Sequence, residues 1–295
     1  MDVKKDALAH LDRDYTNPVR DPLWKHIYLS DGLLAVVESV TFQQLSKIKQ
    51  LGPAYLVYPG ATHTRLAHSL GVYHIAYRMI RTLLPHQNCP QVGRELVAAY
   101  LCAALLHDLG HFPFTHSLKE LPLEEHEVLA GRMITDGPLT SVIRERVGVD
   151  PSIVARIIDE SMSDGGSEEI RFFRTLLSGA LDPDKLDYLN RDAYFCGVPY
   201  GVQDIDFALS RIRPNGSHGI VLEQSGISAV ENVLFSKYLM YRAVYWHRNV
   251  RVATAMIKDG LYRALSNGEV APEDLYGLTD GSFYNSFAMR PEPAF

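Results

Sequence analysis

An all-α fold is what this 295-residue sequence predicts, and three observations predict it. Long stretches carry apolar residues at helical density with few breakers, helix start and stop signals recur, and strand signals are sparse. Residues 96–109 are too densely apolar for a surface helix and read as one buried on several faces. Pro113 then ends or kinks that helix. The run 163–168, built around two glycines, reads as a flexible loop. Asp182-Pro183 is a strong start, an N-cap followed by proline at the first helical position, and Gly197 marks the stop. Residues 227–265 read as one long helix or two in succession. Strand signals are confined to Leu56-Val57-Tyr58 and to Gly219-Ile220-Val221-Leu222, the latter in a small hairpin after Pro214-Asn215-Gly216. With no repeats, the expectation is one domain over 1–295, its metal-site core at about 50–200 and a helical C-terminal extension at 201–295.

Composition narrows the function. With 46% hydrophobic and 22% charged residues, the chain has the make-up of a soluble globular protein. No run of about 18 apolar residues occurs, so no membrane span is expected. The N-terminus lacks the apolar segment of a secretory signal, and three cysteines without a CxxC pair suit a reducing compartment. A cytoplasmic location is the expectation. The net charge of −6 argues against general coating of nucleic acid but leaves room for a small polyanion at a locally basic site.

Eight of the twelve histidines fall between His63 and His126: His63, His68, His74, His86, His107, His111, His116 and His126. Taken singly, each is most simply a surface or hydrogen-bonded histidine. His107-Asp108 resists that reading because it closes an apolar helix, where an unpaired buried aspartate is costly and a cation beside it is a remedy. Arg65 and His68, three apart, share a helix face, so an imidazole can hold a metal while the guanidinium holds a phosphate oxygen. His111 is expected one helical turn beyond His107, with His116 and His126 past the break, where a loop brings them over a substrate. A further carboxylate is expected from a remote element. In the helix opening at Pro183, Asp184, Tyr188 and Asp192 fall at i, i+4 and i+8, with Lys185 beside them. The bland alternative there is a solvated acidic helix start.

The pattern resembles the HD-domain phosphohydrolase superfamily, whose metal site is built as H…HD…D. Lys47–Gly52, Tyr58–Ala61, Arg65…His68-Ser69-Leu70-Gly71, His107–His111 and Asp184–Tyr188 bring it closer to the deoxynucleoside triphosphate triphosphohydrolase (dGTPase-like) branch, over about 21–248. The resemblance implies an HD-domain helical bundle with short peripheral strands. It implies that His68, His107, Asp108 and Asp184 ligate one divalent ion, with Mn, Mg, Fe, Zn and Ni all suited to such a set. Arg65 and Lys185 would hold phosphates, Gln50 and Asp192 would contact the sugar 3′-hydroxyl, and Tyr188 would pack under the deoxyribose. His111, His116 and His126 match catalytic histidines, and Tyr245 a nucleotide-contacting tyrosine. Lys237 stands where relatives carry a phosphate-binding arginine, keeping the charge and losing the fork. Gln44 and Ser46 replace arginines, and Asp21-Pro22-Leu23-Trp24-Lys25 replaces Asp-Pro-Ile-His-Gly, which implies loss of the family's effector control. Implied partners are a deoxynucleotide and further copies of the chain. Two other functions stay open: hydrolysis of another nucleotide phosphoester, and a non-catalytic module binding nucleotide or single-stranded nucleic acid.

Overall fold

The computed structural model describes residues 3–287 and is helical almost throughout. Helix α1 (Val3–Asp14) leads into an antiparallel hairpin of β1 (Asn17–Asp21) and β2 (Lys25–Leu29), in which Asn17 faces Leu29 and Asp21 faces Lys25. Helices α2 (Asp31–Glu38) and α3 (Val40–Gln43) follow, each capped by a serine hydroxyl, Ser30 or Ser39. The centre is α4 (Arg65–Leu83) packed on α5 (Arg94–Leu106), where every side chain from Val97 to Leu106 is buried. Around them lie α6 (His126–Thr135), α7 (Leu139–Val142), α8 (Pro151–Ile158), α9 (Glu168–Ser178) and α10 (Pro183–Cys196). Then come α11 (Ile205–Ser210), the short hairpin β3 (Ile212–Pro214) and β4 (Ile220–Leu222), α12 (Ile227–Met240), α13 (Arg248–Ser266) and α14 (Asp280–Phe287). One apolar core runs through α1 to α12; a second joins Phe112, Phe114 and Leu118 to α13 and α14. No described helix is long and apolar enough to cross a membrane.

Most sequence expectations stand. Asp182 caps α10 by accepting from the Lys185 amide at 2.7 Å, and Gly197 closes it at φ 68°. The 163–168 loop turns through Gly165 and Gly166, both at positive φ. Residues 227–265 form two helices, parted by a π-helical turn (Tyr241–Tyr245) and by His247, which accepts from the Asn249 amide. Three details differ. Leu56 ends a 3-10 turn (Gly52–Leu56) instead of opening a strand, because Pro53 fixes the turn and no partner strand lies alongside. The β1–β2 hairpin escaped the sequence reading, since Asn-Pro-Val-Arg-Asp carries almost no β-forming residues. Finally, α5 stops at Leu106, so His111 does not continue the helix face of His107. At Gly110 a Cβ would lie 2.0 Å from the His126 carbonyl, so α6 meets the chain there backbone to backbone.

Candidate metal centre and its cavity

Three elements converge on one point. α4 brings Arg65 and His68, the end of α5 brings His107 and Asp108, and the first turn of α10 brings Asp184. His68 Nε2 lies 2.9 Å from Asp184 Oδ1, and His107 Nε2 lies 3.7 Å from the same oxygen. The donor atoms of His68, His107 and Asp184 fall within 4.8 Å of one another, the spacing of a shared ion. Asp108 is close but turned: its oxygens stand 3.3 Å from His107 Nε2 and 3.9 Å from His68 Nε2, while Oδ2 accepts from Arg65 Nη1 at 2.6 Å. Asp108 also belongs to a neighbouring group with His111 and His126.

The hydrogen bonds behind the two imidazoles fit a metal. His107 Nδ1 donates to the Ala104 carbonyl at 2.9 Å, which leaves Nε2 as a bare acceptor, buried and without a hydrogen-bond partner. His68 Nδ1 donates to Asp187 Oδ2 at 2.8 Å and likewise turns Nε2 inward. A backing carboxylate or carbonyl that fixes the tautomer is the usual companion of a metal-bound histidine. Asp187 is itself gripped by Arg191, whose Nε and Nη2 donate at 2.8 and 2.9 Å, and by Trp24 Nε1 at 2.5 Å. Arg191 Nη1 reaches Asp21 at 2.8 Å, and Asp21 accepts the amides of Leu23 and Trp24. The first hairpin therefore braces His68 from behind. Gly71 leaves the necessary room, for a Cβ there would lie 1.9 Å from Asp187 Oδ1.

Electrostatics follow from this packing. Burial opposes charge on His68, yet its bonds to Asp184 and Asp187 outweigh it and push the imidazole up to about 10. His107 is also raised, against its burial, by Asp108 and Asp184. Buried Asp108 and half-buried Asp184 are both, against that burial, held well below the carboxylate range by the surrounding histidines, with Arg65 adding to the effect on Asp108 and solvent weakening it at Asp184. Burial and Arg65 push His111 well below 6.5, so it stays neutral. The same influences lower His116, though its ring opens to water, which weakens them. In metal-free protein, protonated His68 stabilises the fold fully below pH 6.5, and that contribution is lost as pH rises toward 10. Thermal melts of chelated protein are expected to show Tm falling over that window, with a flatter profile in His68→Gln. Equal slopes would contradict the raised imidazole.

A cavity of about 770 Å³ opens on these residues. Gln50, Arg65, His107, Asp108, His116, His126, Asp184, Lys185, Tyr188, Asp192 and Tyr245 all line it. His68 and His111 lie behind that lining, the latter stacked on His126 at 3.9 Å between ring centres. Lys185 points its ammonium at Asp182 and the Gly179 carbonyl. Asp192 accepts from Tyr245 Oη at 2.6 Å and pairs with His63 Nε2 at 2.8 Å. Lys237 is absent from the lining; its ammonium sits 5.9 Å from the Tyr241 ring centre. Among the described residues, several buried side-chain atoms without a hydrogen-bond partner lie here, namely Gln50 Oε1, Arg65 Nε, His107 Nε2 and His111 Nδ1, whereas His111 Nε2 stands 3.1 Å from Asp108 and His126 Nδ1 3.0 Å from Glu127. Such orphans are rare in folded proteins and point to an absent ion, water or ligand. His63, Asp187, Arg191, Asp21 and Trp24 were given no role in the site from sequence; only Asp187 and Arg191, four apart on the α10 pattern, carried a signal of their pairing.

Comparison with known proteins agrees with this geometry. The HD domain model matches residues 65–178, and the model of the HD associated region matches 213–294. A hypothetical protein from Aquifex aeolicus superposes with a TM-score of 0.78 at 33% identity, over 93% of this chain and 72% of that one. The uncharacterized protein YwfO of Bacillus subtilis is 36% identical, over 89% of this chain and 60% of its own. The deoxynucleoside triphosphate triphosphohydrolase SAMHD1 of Bos taurus is 26% identical, over 99% of this chain and 54% of its own. The chain thus spans little more than half the length of these two curated relatives. It belongs to the HD-domain family, and its similarity extends to a phosphohydrolase of Bacteroides thetaiotaomicron, which superposes with a TM-score of 0.76 at 27% identity.

Proposed function

We propose that this protein hydrolyses deoxynucleoside triphosphates to a deoxynucleoside and tripolyphosphate. The supporting observation is what one cavity gathers: the His68–His107–Asp184 cluster, the cations Arg65 and Lys185, and a sugar-sized wall of Gln50, Tyr188, Asp192 and Tyr245. His68, His107, Asp108 and Asp184 would hold one divalent ion, which supplies positive charge for a phosphate oxygen and lowers the pKa of water. Arg65 and Lys185 bind phosphate oxygens and spread the charge that develops on them. Gln50 Oε1, an acceptor without a partner, takes the sugar hydroxyl together with Asp192. Tyr188 closes the space a 2′-hydroxyl needs. His116 gives a proton to the departing 5′-oxygen, and His126, 6.0 Å away between ring centres, positions it. In the free protein His116 is neutral; a bound triphosphate counters the Arg65 charge and lets it take up that proton.

Incubation with each dNTP and each matching NTP, in Mn²⁺ or Mg²⁺, tests the reading. The expected products are tripolyphosphate and deoxynucleoside, and Tyr188→Ala is expected to erase at least about tenfold of the preference for deoxyribose. Appearance of dNDP and phosphate rules out attack at the α-phosphorus. A second reading, hydrolysis of another nucleotide phosphoester, draws support from Lys185 being tied to Asp182 and Lys237 standing outside the cavity, which weakens the grip on a triphosphate.

Self-association is the other part of the proposal. The outer face of α12 exposes Ile227, Leu234, Phe235 and Tyr238, an apolar stripe unusual on a solvated helix. Two copies crossed antiparallel at Leu234 bring Glu231 of one opposite Lys237 of the other, a self-complementary pairing suited to a twofold interface. Lys237 fits this seam better than the cavity. Light scattering is expected to give a dimer or larger, and Phe235→Glu a smaller species; an unchanged mass in that variant removes α12 from the interface.

A further inference from the structure

Phe114 and Lys25 are the two non-glycine residues at positive φ among the described residues. Phe114 sits at φ 66°, ψ 9°, a left-handed conformation that a bulky side chain adopts only where its surroundings hold it. It immediately precedes the Thr115–Ser117 turn that carries His116. Its ring packs edge-on against Phe283 at 5.2 Å and Tyr284 at 6.3 Å, both on α14. Opposite, Gly52 makes space: a Cβ there would lie 3.2 Å from Phe114 Cδ1. The same short helix touches the other wall of the cavity. Asp280, its first residue, accepts from both the backbone amide and the ammonium of Lys49 at 3.1 Å each. Lys49 adjoins Gln50, and both line the cavity. One helix, distant in sequence, therefore contacts the segments that carry the proposed proton donor and the proposed sugar contact.

We propose that α14 is a clasp that sets the geometry of the site, with Phe283 positioning His116 through Phe114 and Asp280 positioning Gln50 through Lys49. The proposal rests on the roles given to His116 and Gln50 above. A helix that merely filled the second apolar core would affect stability alone. A clasp affects the turnover step separately from metal binding, because the proposed metal ligands lie on α4, just past the end of α5, and on α10, and none belongs to α14.

The test uses the full chain with Phe283→Ala, the conservative Phe283→Leu, and Asp280→Asn. Metal content, kcat, KM and amide exchange over 112–118 are measured for each. Phe283→Ala is expected to lower kcat about 10- to 100-fold, the penalty of a catalytic group displaced by an ångström or so. KM and metal content stay near the parent values, and the Ser117 and Leu118 amides, bonded to the Phe114 and Thr115 carbonyls, exchange faster. Phe283→Leu recovers most of kcat. Asp280→Asn raises KM several-fold with kcat little changed. If Phe283→Ala does not fold, Phe114→Gly takes its place: glycine accepts this backbone conformation and removes the ring that α14 grips, so kcat falls in a stable protein. A lowered Tm with unchanged kcat and unchanged exchange overturns the clasp. Altered exchange in a protein that hydrolyses no dNTP keeps the Phe283 arm of the clasp and discards the substrate reading, so the two fail separately.

Discussion

His107→Ala is expected to strip the protein of its metal and its hydrolytic activity together, with no loss of fold. The imidazole caps a helix buried from Val97 to Leu106, its Nδ1 is occupied by the Ala104 carbonyl, and its Nε2 has no hydrogen-bond partner. Its removal leaves the Ala104 carbonyl without that donor and takes one histidine from Asp108 and Asp184, a cost of about 1–3 kcal/mol that a folded domain can bear. The metal-free Tm is therefore expected to lie several degrees below that of chelated parent protein, with the fold retained. Metal analysis should fall to background, and turnover by about three orders of magnitude or more, since both the charge at the phosphate and the activation of water depend on the ion. Retention of a full complement of metal in this variant would falsify the ligand set.

The second large effect lies out of the cavity altogether. Arg191 is wholly buried and binds Asp187 through two nitrogens and Asp21 through the third. Arg191→Met leaves buried Asp21 without its cation and Asp187 with His68 alone in place of two positive partners, a change that costs about 3–5 kcal/mol. Urea denaturation at pH 7 measures it. The sign with pH is fixed by Asp187, which burial would raise and which Arg191 and His68 hold down at about 2. In the parent protein that carboxylate stabilises the fold above the ordinary value of 3.8, and the contribution is lost as pH falls toward 2. The gap between parent and variant should therefore narrow below pH 4. Trp24→Phe is the gentler companion: it removes one donor from Asp187, loosens His68, and is expected to weaken metal affinity about 10-fold or somewhat more. Parent-like affinity in Trp24→Phe would show that the hairpin does not reach the metal.

What could be read in advance was what short-range chemistry dictates. The Asp182-Pro183 start and Gly197 stop of α10 are decided within a turn by cap geometry, and Asp184, Tyr188 and Asp192 then share a face by helical spacing. The densely apolar α5 was equally plain. Its end was not, because no residue before Gly110 forbids another helical turn; the stop comes from α6 arriving at that glycine. The support of His68 was hidden for a related reason. Trp24 and Asp21 meet α10 across 163 and 170 residues, and neither carries a local mark of its partner. Read as a stretch, Asp21–Lys25 only registered as a departure from the effector region of the family, whereas its tryptophan and arginine-bound aspartate help hold the carboxylate behind His68. His63 was counted among the clustered histidines, but its bond to Asp192 depends on the packing of α10 against the loop before α4.

Gly71 offers no chemistry and lies off the cavity, yet it decides whether Asp187 can stand where it does. In a mutational screen scored by activity, alanine at this one position should behave like the loss of a ligand, because the intruding methyl displaces the carboxylate rather than the substrate. Screens that rank positions by distance from the reaction would class it as scaffold. For this chain the boundary of the metal centre is drawn by which atoms must not exist as much as by which must.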